Sequence, residues 1–373
     1  MAQHVGNDIQ IRRIAAVGGG CINDAQRVET NEGQYFVKYN NASRYPGMFL
    51  AEAKGLHLLG RSGSLRVPRV IACAESDALL VAAPEATDQK AGATNGETDE
   101  KNVTATDAAE QKKTAAPGSK KGEEPAGDDH RRVTGQRENK SGDTRMKTVG
   151  GQNNVPRWHR LAVGPDNNTY SLLILEHIEA TPRREDFWES FGAGLARMHR
   201  REPGDNQFGL DHDNYIGSLP QRNGRHGQWI DFFVEERLEV QLKMARDTGK
   251  AGRELNAMFA ALYRQLPDFF PVEPPSLVHG DLWSGNYMTG SRGEAVIIDP
   301  AVYYGHRYMD LGMSKLFGGF SPAFYRAYRE EWPVESNWEE ALDVANLYPL
   351  MVHVNLFGGG YLGSVKSILR RFS

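Results

Sequence analysis

The sequence predicts an α+β chain of two lobes, a small β-rich lobe followed by a larger, mainly helical one, with a disordered segment set into the first. Three observations carry this. Strand-like runs crowd the first 83 residues and return at 170–178. Residues 84–157, lying between them, hold no Leu, Ile, Phe, Trp or Tyr. Beyond residue 181 helical segments lead into a glycine-rich stretch, 277–300, that carries two aspartates and an asparagine. The chain divides accordingly into residues 1–83, the first part of the β-rich lobe; 84–157, the insertion; 158–180, the last strand and a hinge; and 181–373, the helical lobe.

In chain order, Ile9, Ile11 and Ile14 precede a Gly18-Gly19-Gly20-Cys21 run, and Gln34 to Tyr39 is a strand by composition. A glycine run between strands can lay backbone N–H groups over phosphates, although glycine clusters also mark plain turns. Met48, Phe49, Glu52, Leu56 and Leu59 fall near helical spacing, and Gly60 closes that helix. Val67–Ile71 and Ala78–Val81 read as two more strands. Residues 84–157 cannot bury enough apolar area to offset the entropy of ordering them, and a long surface loop costs little extra to close. Tyr170–Ile178 is a strong strand, and Thr181-Pro182 breaks it. Phe187, Phe191, Leu195 and Met198 then share one helix face; His199 on that helix reads as a packed or capping side chain. A loop over 205–231 interleaves Gly, Asn and Asp with aromatics, and helices are expected over 230–247 and 252–266.

Bulk properties narrow the function. With 44 basic and 48 acidic residues the net charge is −4, which points away from nucleic acid or an anionic membrane as partner. The two cysteines, Cys21 and Cys73, exclude a disulfide framework and suit a reducing cytoplasm. The N-terminal segment lacks the apolar core of a signal peptide. The apolar stretch 346–365 carries His353, Asn355 and three consecutive glycines, so it reads as a buried helix rather than a membrane span.

The chemistry concentrates in LVHGDLWSGNYMTGSRGEAVIIDP, residues 277–300. Asp281 is followed five residues on by Asn286, and the apolar run 295–298 delivers Asp299 at its end. A loop carrying D-x-x-x-x-N, then a strand presenting an aspartate, is the arrangement of protein-kinase-like phosphotransferases. Phosphoryl transfer from ATP requires the β- and γ-phosphate charge to be neutralised, which hard Mg²⁺ ions do through oxygen ligands. Asn286 and Asp299 offer such oxygens, and Asp281 would accept the proton of the attacking hydroxyl. Lys38 stands where the phosphate-binding lysine of a kinase belongs, and Glu52, fourteen residues later on the helix, is placed to pair with it. Glu176, His177 and Ile178 fall at the hinge, whose backbone would bond the adenine edge. Asp310 resembles the helix-start aspartate that braces a kinase catalytic loop from below.

The runs GGGCIN (18–23), FVKYN (36–40), FGLDHDNYIGSLPQ (208–221), LVHGDLWSGN (277–286), IIDPAVYYGHRYMDLGMSKLFGGF (297–320) and NLFGGGYLG (355–363) resemble the fructosamine kinases, also called ketosamine 3-kinases. The resemblance covers the chain outside 84–157, where that family has only a short connection. It implies ATP-dependent phosphorylation of the 3-hydroxyl of a ketoamine, the adduct of a sugar with an amine; the product decomposes and frees the amine. Residue by residue it implies Asp281 as base, Asn286 and Asp299 as Mg²⁺ ligands, Lys38 with Glu52 as phosphate clamp, and Gly18, Gly19 and Gly20 over the phosphates. Trp283, Asp213, Tyr215 and His306 are the expected ketoamine pocket. Cys21 stands in the phosphate loop, either as a redox-sensitive thiol that could link two chains in a homodimer or as an inert small residue. A kinase for an aminoglycoside- or choline-like substrate would share the catalytic loop but not the DNYIGS and DPAVYYGHR stretches. A kinase-like protein that only binds should lack one of Lys38, Asp281, Asn286 and Asp299.

Overall fold

Strand β3 (Gly33–Asn41) is the spine of the first lobe, because its alternation puts Lys38 and Asn40 on a buried face. It pairs antiparallel with β2 (Asp24–Thr30) and with β7 (Tyr170–Glu176). With β1 (Ile11–Ala16), β4 (Val70–Glu75), β5 (Ala78–Val81) and β6 (Lys147–Thr148) the sheet runs in the order β1-β2-β3-β7-β4-β5-β6. The computed structural model describes residues 9–18, 23–75, 78–81, 147–148, 170–201 and 204–372.

Helix α1 (Met48–Gly60) covers this sheet, ending where the sequence places its stop. Phe49, Ala53 and Leu56 pack on Val70, Cys73, Leu173 and Leu175, so the helix is held by its apolar face and Glu52 rides beside that face. Burial pushes the Cys73 thiol up to about 12, with Glu52 and Glu75 adding to it, so this cysteine is an inert core residue.

Two expectations shift here. The strand expected over 67–71 starts later, at Val70, because Pro68 has no N–H for a ladder and Arg66 serves the other lobe, accepting the Ile297 N–H at 3.0 Å. A two-residue strand, β6, falls inside the span 84–157 that composition reads as disordered, where it pairs with Leu80 and Val81. Backbone pairing along an open edge needs no apolar side chain, which composition cannot register. The rest of that span lies outside the described residues.

The second lobe is built on α2 (Phe187–His199), whose Phe187, Phe191, Leu195 and Met198 are all buried as their spacing predicts. It packs against α7 (Pro322–Glu331) so tightly that a Cβ on Gly192 would sit 2.1 Å from the Phe324 carbonyl oxygen. Gly192→Ala is therefore expected to push the two helices apart at a cost of about 3 kcal/mol, read as a lowered urea midpoint. The helix expected over 230–247 runs from α3 (Trp229–Phe232) through a π-helical turn, Phe233–Leu238, into α4 (Glu239–Asp247). The π turn buries both Glu236 and Arg237, a wider register that 3.6-residue spacing does not show. Helix α5 (Arg253–Tyr263) follows. After α8 (Trp338–Ala345), the stretch 346–365 spans α9 (Leu347–Phe357) and enters α10 (Leu362–Leu369), and among the described residues no helix is long and apolar enough to cross a membrane.

Candidate active site

Three short strands carry the site. The loop from His279 to Asn286 runs between β10 (Ser276–Val278) and β11 (Tyr287–Thr289), and β12 (Ala295–Ile297) pairs with β11 and leads to Asp299. Backbone bonds fasten the two segments together: Ile298 N–H to Asn286 O at 3.0 Å and Ala301 N–H to His279 O at 2.9 Å. Gly280 makes this approach possible. Its φ is +83°, and a Cβ there would meet the Ala301 carbonyl oxygen at 2.1 Å.

Asp310, at the start of α6 (Tyr308–Leu316), holds the loop from below. Its two oxygens accept the N–H groups of His279 (2.7 Å) and Gly280 (2.9 Å). His199 Nε2 donates to the same carboxylate at 3.0 Å, while Tyr328 reaches His199 Nδ1 at 2.9 Å. Burial alone would raise the Asp310 carboxyl, but these donors outweigh it and hold it below its usual range. His199 is thus a packed side chain that braces the loop.

The sequence-predicted residues converge on one cluster. Lys38 Nζ donates to Glu52 Oε1 at 2.8 Å and to Asp299 Oδ1 at 2.9 Å, tying strand, helix and loop across the two lobes. Burial would lower the Lys38 pKa, but the two carboxylates more than offset it, so the ammonium stays charged. Asp299 has φ +55°, and its side chain is 47% exposed, leaving an oxygen for a ligand besides the one on Lys38. Asn286 Nδ2 donates to Asp281 Oδ2 and to the Asp281 backbone oxygen, both at 2.8 Å. Burial pushes the Asp281 carboxyl up to about 7; the Asn286 bond pulls it down, and the Asp299 and Asp310 charges add to the rise.

The donor set fits Mg²⁺. Asp299 supplies a carboxylate oxygen, and with its NH₂ turned to Asp281, Asn286 presents its amide oxygen away from that bond. Two hard protein oxygens suit an ion that takes its remaining ligands from phosphates and water.

Of the remaining expected residues, Gly18 faces open space, while Gly19, Gly20 and Cys21 lie outside the described residues. At the hinge the Glu176 N–H is bonded to Arg69 O at 2.9 Å and its carboxylate to Arg66. Trp283 folds its ring over the loop, so close that a Cβ on Gly285 would sit 2.4 Å from it. Asp213 accepts the Asn223 N–H at 2.8 Å, and the Tyr215 hydroxyl donates to Pro46 O at 2.8 Å, so both are tied into the scaffold.

His306 is a correction. It is 1% exposed, packs among Trp229, Phe270 and Tyr308, and approaches Pro271 O at 3.3 Å. Burial, with the Arg307 charge beside it, drives its pKa down to about 3, so it is a neutral core ring and lines no pocket.

Sequence reasoning missed the scaffold under the loop. In the hairpin β8 (Asn214–Ile216) and β9 (Leu219–Gln221), Asn214 bonds Val302 O and Gln221 bonds Ala301 O, fixing the chain just after Asp299. The density of amides in 214–223 was the available signal. Arg66 was missed as well; it joins Glu294, at the start of the β12 hairpin arm, to Glu176 at the hinge.

The family model for fructosamine kinase matches residues 1–89 and 145–373. The chain belongs to the fructosamine kinase family. Its fold is protein-kinase-like, and it is an ATP-dependent phosphotransferase that acts on a hydroxyl group. A "probable ketoamine kinase" of Synechocystis sp. is 31% identical over 371 residues, covering 100% of this chain and 94% of its own length. The chloroplastic protein-ribulosamine 3-kinase of Arabidopsis thaliana is 32% identical, with 98% and 83% covered. A solved structure from Thermobifida fusca, provisionally described as a fructosamine-3-kinase, superposes with a TM-score of 0.64 at 26% identity, covering 99% of this chain and 96% of that one. The family match leaves out residues 90–144 of this kinase.

Proposed function

We propose that this kinase transfers the γ-phosphoryl group of ATP to the 3-hydroxyl of a ketoamine, and that Asp281, Asn286, Asp299, Lys38 and Glu52 carry out the transfer. The observation that carries the reading is the single cluster in which Lys38 bridges Glu52 and Asp299 while Asn286 holds Asp281. Asp281 accepts the hydroxyl proton as the substrate oxygen bonds to the γ-phosphorus and the bond to the departing ADP breaks. Its raised pKa suits a base that must take a proton near neutrality and release it afterwards. Lys38, fixed by Glu52, places a full positive charge against the α- and β-phosphates. Asn286 and Asp299 would hold Mg²⁺, which when bound would supply positive charge against the phosphates. Gly18 to Gly20 cover the phosphates, and the backbone from Glu176 to Ile178 meets the adenine edge. Trp283 forms the wall of the sugar pocket, and the reaction runs in the cytoplasm, where ATP is abundant.

The test is ATP consumption with Mg²⁺ in the presence of ribulosyl-lysine, fructosyl-lysine, an aminoglycoside or choline. Turnover dependent on either ketoamine is expected, and the ratio of the two rates names the preferred sugar. Turnover on the aminoglycoside or choline alone would replace the ketoamine reading.

A further inference from the structure

Arg237, in the π turn, is a cation enclosed without a counter-ion. Its side chain is fully buried, yet the carboxylate of its neighbour Glu236 faces Arg222 and His226 instead. Among the described residues the guanidinium bonds only to oxygens that carry no full charge: the carbonyls of Arg222 and Glu236, and Asn223 Oδ1 at 2.8 Å. Its Cζ lies 4.0 Å over the Tyr303 ring, with Phe232 at 4.5 Å and Tyr348 at 5.3 Å. Burying an unpaired charge costs stability, and a hydrocarbon side chain of similar volume would fill the space without that cost.

What the guanidinium supplies is direction. Arginine has five N–H donors and no acceptor, so Asn223 must turn its oxygen to Arg237 and its NH₂ away. That NH₂ donates to His212 O at 3.1 Å and to Asn214 Oδ1 at 3.0 Å. Asn214 then points its own NH₂ onward, to Val302 O at 2.7 Å. Gln221 joins from the side: the Tyr348 hydroxyl donates to its Oε1 at 2.7 Å, and its NH₂ donates to Asn214 Oδ1 at 2.7 Å and to Ala301 O at 3.1 Å. None of the three amides can flip without setting oxygen against oxygen. The Tyr303 ring gives a second contact, because it carries Arg237 over its face and comes within 3.2 Å of where a Cβ on Gly280 would stand. Both routes end where Gly280 meets Ala301, one residue from Asp281 and two from Asp299.

We propose that Arg237 is a positioning residue of the transfer reaction, setting Asp281 and Asp299 in register with each other through this directed chain of amides. The inference rests on the assignment of Asp281 and Asp299 to the reaction. The chain bonds to none of Lys38, Glu52, Glu176 and Trp283, so its loss leaves the binding of both substrates in place and loosens the geometry of attack. A displacement on the order of 1 Å at a reacting group can cost ~100-fold in rate. Lysine cannot stand in for arginine here, because an ammonium has no planar face for Tyr303 and no fork to hold Asn223 and two carbonyls together.

The experiment measures kcat and KM of Arg237→Lys and Asn223→Asp with ATP and the acceptor that wild type phosphorylates. Arg237→Lys is expected to lower kcat about tenfold or more, while both KM values stay within about twofold of wild type. Asn223→Asp separates direction from stability. It keeps an oxygen on Arg237 and supplies the missing counter-charge, so its urea midpoint should lie above that of Arg237→Lys. It has no NH₂ to give, however, so Asn214 turns its own NH₂ back and sets its oxygen against Val302 O. The same fall in kcat with unmoved KM is expected. A kcat of folded Asn223→Asp within about twofold of active wild type, or a loss carried by KM in both variants, would overturn the proposal and leave the reading of the site intact. Folded wild type that phosphorylates no acceptor would remove that reading itself, and this inference with it.

Discussion

Asp281→Asn is expected to abolish ketoamine-dependent turnover, by about 10³-fold or more in kcat, and at the same time to stabilise the ligand-free protein at neutral pH. Both effects come from one placement. The carboxyl sits where burial and two neighbouring carboxylates oppose its ionisation, and its pKa rises to about 7. In the unfolded chain it titrates near 3.9. Between those values the folded state holds the proton and the unfolded state does not, so wild-type stability falls as pH rises through that window. The neutral amide escapes this fall and can still accept the Asn286 bond. Melting curves of the two proteins should therefore nearly coincide at the acid end and separate as pH approaches 8, with the variant higher. Equal pH dependence in both would show that Asp281 does not carry this strain.

Lys38→Met is expected to cost both activity and stability. Lys38 is 6% exposed and bridges two carboxylates; its removal leaves Glu52, with a side chain 10% exposed, without a counter-charge. Breaking a buried pair from one side usually costs ~3–5 kcal/mol. Glu52 can relieve part of this by taking up a proton, so a loss of ~2 kcal/mol at neutral pH is the expected size, smaller at lower pH. Asp299 adds little, because its half-exposed side chain faces solvent. Turnover should fall at least ~100-fold through lost phosphate positioning. Chemical denaturation at pH 5 and pH 7.5 checks the stability half, and a midpoint that does not move at either pH would contradict the bridging role. Glu52→Gln should leave the fold nearer wild type, since the amide needs no counter-charge.

What the sequence disclosed and what it hid follow different physics. Asp281, Asn286 and Asp299 are close in the chain, and their chemistry depends on loop and strand spacing, so a short motif suffices to name them. Lys38 and Glu52 were legible through secondary structure, since a strand period places the lysine inward and the helix places the glutamate opposite. His306 misled because a histidine between Gly305 and Arg307 has the composition of a polar loop, and only packing reveals the aromatic cluster that encloses it. Asp213 and Tyr215 lie in a stretch whose scaffold role needs the fold to be seen. Their neighbours Asn214 and Gln221 anchor the segment behind Asp299, so this stretch supports the site through its scaffold. The π turn at 233–238 and the strand at 147–148 stayed hidden because neither depends on apolar periodicity.

The most direct measurement is phosphorus and carbon NMR of the product formed from ribulosyl-lysine, ATP and Mg²⁺, with wild type and Asp281→Asn in parallel. The account predicts one new phosphomonoester on the oxygen of sugar carbon 3 in wild type, followed by release of free lysine as the adduct decomposes, and neither signal with the variant. Phosphate on a different hydroxyl, or the same product from Asp281→Asn at a wild-type rate, would contradict it.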